Sequence, residues 1–137
     1  MLGAASVIVD AAGRVLLVKH SYGELNWELP GGGGEARESA EETARREARE
    51  EVGVELATLR LTGVYWEPDQ DAHHFVFRAH AIGTPRVADR KEITHIDWFS
   101  PGALPRPMSD FTAQRIKDAL SEGRTVFATI GRRVWLR

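Results

Sequence analysis

The sequence predicts an α/β (α+β) domain built mainly of strands, with two helices of different character. Three observations carry that expectation. Short runs rich in Val, Ile and Leu alternate with turn-forming residues along most of the chain. One stretch free of Gly and Pro, Ser39 to Val52, is loaded with Ala, Glu and Arg, all strong helix formers. A second stretch, Ser109 to Ser121, places Phe111, Ile116 and Leu120 at helical spacing.

In chain order, Ala4 to Val9 and Val15 to Lys19 flank the turn-forming Asp10-Ala11-Ala12-Gly13, so they are expected to pair as a hairpin. His20 to Asn26 is polar and expected to be a loop. Trp27-Glu28-Leu29 alternates briefly before Pro30 and the run Gly31 to Gly34, which should stop regular structure. Ser39 and Glu42 form a capping box that starts the first helix, and Gly53 stops it. Strand candidates follow at Glu55 to Leu61, Val64 to Trp66, His73 to Ala81 and Ile93 to Phe99. Thr125 to Ile130 and Arg133 to Leu136 are expected to close the chain as a hairpin around Gly131.

A length of 137 residues suits a single domain spanning 1–137. The net charge of -2 supplies no global basic field, which argues against duplex nucleic acid as partner and leaves a small anionic ligand. The absence of cysteine removes disulfides, thiolate nucleophiles and cysteine-bound zinc, and fits a reducing compartment. Leu2 to Val9 is short and has no basic lead, so it reads as a core strand and not a signal peptide. No apolar run is long enough to span a membrane, and a cytoplasmic location is expected.

On a helical wheel, Ala40, Ala44, Ala48 and Val52 form a small-residue row suited to close packing on a sheet. Glu42, Arg45 and Arg49 fall opposite, towards water. Glu47, Glu50 and Glu51 stand at i, i+3 and i+4 and crowd one further strip. Part of the charge reads as an ordinary ion-paired surface, through Glu41–Arg45, Glu42–Arg46 and Arg46–Glu50. Glu47 and Glu51 have no basic residue three or four positions away, and an unpaired acidic strip calls for a cation. Dense carboxylate oxygens suit Mg²⁺ or Mn²⁺. The glycine run just upstream could be a flexible connector. Its position before a capped acidic helix also suits backbone contact with a metal or phosphate, although the Lys-Ser/Thr pair of a P-loop is missing.

These residues resemble a known family. Gly32, Glu38 and Arg46-Glu47-Ala48-Arg49-Glu50-Glu51-Val52-Gly53-Val54 follow the spacing of the Nudix box over the 23 residues Gly32 to Val54. The lead-in Trp27-Glu28-Leu29-Pro30-Gly31-Gly32-Gly33 is similar to the usual approach to that box. Ala48 departs from it, standing where a larger aliphatic residue is usual, which is read as a packing variation. The resemblance, to MutT-like Nudix hydrolases, implies an α/β/α sandwich with a mixed sheet and a loop–helix–loop box. It implies Glu47, Glu50, Glu51 and the Gly32 carbonyl as metal ligands, and Arg46 as the residue that orients the glutamates. Glu38 would support the loop or the metal's outer shell, and Gly31, Gly32 and Gly33 would lie against the substrate. The implied reaction is water attack on phosphorus in a pyrophosphate linkage, with Mg²⁺ or Mn²⁺ neutralising charge and a carboxylate taking the proton.

Glu47 is the first choice for that base. Glu92, ahead of Ile93 to Phe99, is the best candidate outside the box, balanced against a plain surface charge beside Lys91. Glu67 and Asp71 are weaker. His73 and His74 are adjacent, so in a strand they face opposite ways and do not share a metal. Nothing selects His20 or His95. Tyr22, Trp27, Tyr65, Trp66 and Phe111 could stack on a base, but aromatics in small domains more often serve the core. The expected partner is a small-molecule nucleotide, with nucleoside triphosphates ahead of ADP-ribose and dinucleoside polyphosphates. A non-catalytic nucleotide-binding domain is the competing function. Homodimerisation is left open.

Overall fold

The computed structural model describes all residues, Met1–Arg137. Its strands are β1 (Leu2–Ile8), β2 (Val15–His20), β3 (Trp27–Glu28), β4 (Gly31–Gly33), β5 (Glu55–Glu67), β6 (Ala72–Ile82), β7 (Ile93–Phe99), β8 (Met108–Ser109), β9 (Val126–Thr129) and β10 (Trp135–Leu136). The helices are α1 (Ala40–Val52) and α2 (Asp110–Leu120). A five-stranded mixed sheet runs β4-β1-β6-β5-β9, with β1/β6 and β5/β9 parallel and the other pairs antiparallel. Strands β3-β2-β7 form a second, antiparallel sheet, and β8 pairs with β10.

Alternation along β1 and β2 explains the layering. Ala5, Val7, Val9, Val15 and Leu17 enter one core with Phe111, Ile116 and Ala119 of α2. Their neighbours Ile8, Leu16 and Val18 enter another with Ala48 and Val52 of α1. With both faces apolar, each strand reads as a continuous hydrophobic run, and one helix covers each side. The result is an α/β/α sandwich with a mixed sheet. Val7, Ile8, Val15, Leu16, Leu17 and Val18 are fully buried, and each such side chain contributes about 1.5–3 kcal/mol relative to exposure.

Both helices begin as the sequence indicates, on Ser39 and Ser109 caps, and α1 ends on Gly53 at φ 69°. Four local expectations are corrected. The first two strands share a single bridge, Val9–Val15, and otherwise join different sheets, β1 lying between β4 and β6 and β2 between β3 and β7; both are apolar on both faces, so the hydrophobic pattern does not choose the partner. The closing segments do not pair with each other: β9 lies along β5, and β10 along β8. Glu55–Glu67 is one strand of 13 residues, with register shifts where two strands were expected. The glycine run is not purely loop, since Gly31–Gly33 is an edge strand on β1. A Cβ on Gly31 would stand 2.5 Å from the Ala4 carbonyl oxygen and 2.7 Å from Ala5, so this approach requires glycine.

Candidate functional site

The caps of α1 fix how the helix turns its sides. Ser39 Oγ accepts from the Glu42 amide at 3.1 Å, and the Glu42 carboxylate accepts from the Ser39 amide at 3.1 Å. With Ala44, Ala48 and Val52 seated in the core, Glu51 is drawn inside as well, at 5% exposure. Its Oε1 accepts from the Gly31 amide at 3.1 Å. One turn earlier, Glu47 lies against Gly32, where a Cβ would meet its carboxyl carbon at 2.8 Å. Glu50 stays 54% exposed. The glycine strand is therefore what lets the backbone come up against two of the three ridge carboxylates.

Arg46 ties this assembly together. All five of its N–H groups are engaged: Nε and Nη2 grip Glu38 at 2.8 and 3.0 Å, Nη1 reaches Glu47 at 2.8 Å and Glu50 at 3.1 Å, and Nη2 also reaches the Gly33 carbonyl at 2.9 Å. Only the planar fork of a guanidinium spans helix and glycine strand in this way. Glu47, expected to be unpaired, is thus partnered by its sequence neighbour, a contact that counting at i±3 and i±4 does not see. The expected Glu42–Arg46 pair is replaced, because Glu42 serves the cap and Arg46 turns towards Glu38. Glu41–Arg45 forms, at 3.8 Å.

Hydrogen bonds from Arg46, then from Thr43 and the Glu35 amide, hold the Glu38 carboxyl at about 2, below its ordinary 4.5. A depressed folded-state value means that the stabilisation is complete above about pH 4.5 and is lost as pH falls towards 2. Glu38→Gln is expected to flatten that part of the acid limb. Denaturant midpoints collected through this range check it, and unchanged acid sensitivity would remove Glu38 from the account.

Glu51 behaves in the opposite way. Burial, and next the neighbouring Glu47 carboxyl, push its proton affinity well above the carboxylate range. A desolvated carboxylate beside a like charge ionises readily only when a cation compensates it. This is the donor chemistry that a divalent cation requires, together with oxygen ligands and a glycine backbone that approaches unobstructed. No three carboxylates or imidazoles converge into a finished cage. The residues fit an ion that takes a few protein oxygens and completes its shell from water and substrate.

Beside Glu51 opens a cavity of about 430 Å³. It runs from the glycine edge strand across β1 to β6, and the carboxylates of Glu28, Glu51 and Glu92 line it together with Gly31, Gly32 and Gly33. Glu92, the outside candidate, is thus on the wall, next to His20 and Tyr22. Burial lowers the proton affinity of His20, against the pull of Glu28 and Glu92. Tyr22 stacks on His20 with centroids 4.8 Å apart. The other suggested aromatics lie elsewhere: Tyr65 and Phe111 are core, Trp27 packs on Phe99, and Trp66 on His73. Glu67 reaches His74 and Arg133, while Asp71 is an exposed turn residue at φ 47°. His95 is exposed and bonds Thr94.

Sequence reasoning assigned no role to Glu28, Arg115 or Arg133 and set His74 aside, yet all four are on the cavity wall. Glu28 accepts from Arg115 at 2.8 Å, from Thr112 at 2.9 Å and from the Leu29 amide at 2.7 Å, which anchors α2 to the strand ahead of the glycines. One signal was available. Arg115 sits four residues after Phe111 and next to Ile116 on the apolar side of α2, where a charge needs a buried partner.

Comparison with known proteins supplies the family. The NUDIX domain model matches residues 1–120. A putative 8-oxo-dGTP diphosphatase of Bacillus subtilis (strain 168) is 36% identical over 129 residues, covering 93% of this chain and 85% of the relative. A MutT-like protein of Streptomyces ambofaciens is 34% identical over 116 residues, covering 85% and 74%. The crystal structure of a MutT NUDIX hydrolase from Burkholderia pseudomallei superposes with a TM-score of 0.78 at 30% identity, covering 85% of this chain and 95% of that one. The chain belongs to the Nudix pyrophosphohydrolase family. No helix is long and apolar enough to cross a membrane.

Proposed function

We propose that this protein, read as one Nudix domain over 1–137, hydrolyses the pyrophosphate linkage of a small nucleotide, with a nucleoside triphosphate as the favoured substrate and Mg²⁺ or Mn²⁺ as cofactor. The observation that carries the reading is the buried Glu51 beside Glu47, both held against Gly31 and Gly32 at the cavity's edge. Glu47, Glu50, Glu51 and the Gly32 carbonyl would hold the cation. Bound there, it supplies charge neutralisation at the phosphates and acidification of a water. The chain's own residues do the rest. Arg46 keeps Glu47 and Glu50 in register with the glycine strand, which fixes where the phosphates lie. Glu92, on the wall, and Glu47, beside Gly32, are the carboxylates placed to accept a proton.

The triphosphate preference draws on the cavity's size, suited to one nucleoside, and on the 8-oxo-dGTP diphosphatase description of the Bacillus subtilis relative. An ADP-ribose pyrophosphatase of Methanocaldococcus jannaschii is 33% identical over 84 residues, which keeps ADP-ribose, with dinucleoside polyphosphates, as the second reading. A panel of nucleoside triphosphates, ADP-ribose and dinucleoside polyphosphates, assayed with Mg²⁺ and scored by product identity, tests the assignment. Turnover of triphosphates to monophosphate and pyrophosphate is expected. Hydrolysis of ADP-ribose alone would transfer the assignment to the second reading. A domain that binds nucleotide and turns over nothing in the panel would be non-catalytic.

A further inference from the structure

A second polar hollow, of about 390 Å³, shares no lining residue with the catalytic cavity. Arg60 of β5 lines it, as do Asp118 near the end of α2 and Arg124 in the loop that follows. The pairing of β5 with β6 explains how Arg60 comes to stand there. Ala57 lies opposite His80 and Arg60 opposite Arg78, so three steps along β5 match two along β6. Thr58, at φ 53°, lies within the resulting bulge. The bulge turns Leu59 and Leu61 towards α1, where both pack on buried apolar side chains, and it carries Arg60 onto the face of Arg78. Arg78 Nη1 donates to the Ala119 carbonyl at 3.4 Å, the ordinary use of a cation at a helix C-terminus. Like charges directly opposite on one sheet face repel. None of Arg60, Arg78 and Arg124 has an ion-pair partner, and the Arg60 and Arg124 side chains make no hydrogen bond within the protein. Asp118 is the one carboxylate on the wall, and it is already engaged: Oδ2 accepts from the Tyr65 hydroxyl and Oδ1 from Gln114, each at 2.7 Å.

We propose that this hollow is an anion site for two neighbouring phosphoryl groups, held between Arg60 on the sheet and Arg124 on the loop. The assignment is independent of the hydrolase reading, since the two sites share no residue. A guanidinium fork pairs with phosphate oxygens two at a time and, being weakly hydrated, gives up its water readily. The free cations come from two separate elements, and the hollow is roomier than a single phosphate. Inorganic pyrophosphate and the successive phosphates of a single nucleic-acid strand both present the required chemistry. A bound anion would also relieve the repulsion between Arg60 and Arg78.

Titration calorimetry at fixed ionic strength, with inorganic pyrophosphate as probe and no divalent metal added, tests the site. Without metal, the catalytic cavity with its Glu28, Glu51 and Glu92 carboxyl groups holds little attraction for the probe. Saturable binding of one pyrophosphate per chain is expected. Arg60→Ala and Arg124→Ala should each weaken it about tenfold, the loss of a charged hydrogen-bonding contact, and Arg60→Lys should restore part of the affinity. Both side chains are exposed and unpartnered, so neither substitution endangers the fold. Arg133→Ala, on the catalytic cavity wall, should leave the affinity unchanged. A single-stranded oligonucleotide with hydroxyl ends is the second probe. Binding tighter than that of pyrophosphate, and lost in the same two variants, makes a nucleic-acid backbone the occupant; weaker binding makes it a free oligophosphate. Absence of saturable binding with both probes, or affinity that survives both alanine substitutions, overturns the proposal.

Discussion

Glu51→Gln is expected to lower kcat by on the order of a thousandfold, the equivalent of several kcal/mol of transition-state stabilisation. The substitution keeps size and shape, and its amide oxygen can still accept from the Gly31 amide that now bonds Oε1 at 3.1 Å. What disappears is the negative charge. Because burial and Glu47 already make that charge costly to hold, the variant should melt at the same temperature as the wild type or higher when no metal is present. Function and stability would therefore move in opposite directions, which separates a functional carboxylate from a structural one. Calorimetric melting alongside steady-state kinetics checks both. Retention of more than about a tenth of the rate would remove Glu51 from the reaction.

Arg46→Met should do the reverse, costing stability as well as rate. Loss of the guanidinium leaves Glu38, Glu47 and Glu50 with no shared cation and releases the Gly33 carbonyl. Charged hydrogen bonds contribute about 1.5–3 kcal/mol each in favourable cases, and several here share one side chain with partly exposed partners, so a net loss of about 2–3 kcal/mol is expected. With the glycine strand free to drift from the ridge, turnover should fall by about a hundredfold. Arg46→Lys should recover little of either, because one ammonium cannot bridge five acceptors. Denaturant unfolding and kinetics on both variants measure it. A lysine variant that matches the wild type would show that only the charge matters at this position.

The parts of the molecule that the sequence discloses are those whose causes are local. The capping box on Ser39, the stop at Gly53 and the strip Glu47, Glu50 and Glu51 follow from spacings within a few turns of helix. The box resemblance reaches slightly further, linking Gly32 to that strip, and the structure places them together. Pairing between distant segments is not local, and there the expectations fail. Val7 and Ile8 face different cores, and nothing in a two-faced apolar run says which neighbour it takes. Gly31–Gly33 carries no strand propensity; it is a strand because its backbone pairs with Gly3–Ala5 of β1, an approach that at Gly31 leaves no room for a side chain. Arg115 meets Glu28 across 87 positions, and Arg133 meets Glu67 across 66, so the cavity wall depends on the folded chain.

Calorimetric titration of the metal-free protein with Mg²⁺, run beside Glu51→Gln and Glu47→Gln, bears most directly on the central idea. The wild type should bind the ion saturably, release a proton as the buried Glu51 ionises, and gain about 2.7 kcal/mol of stability at a hundred times Kd. Both variants should lose most of that affinity. Equal binding by all three proteins, or no binding by the wild type, would contradict it.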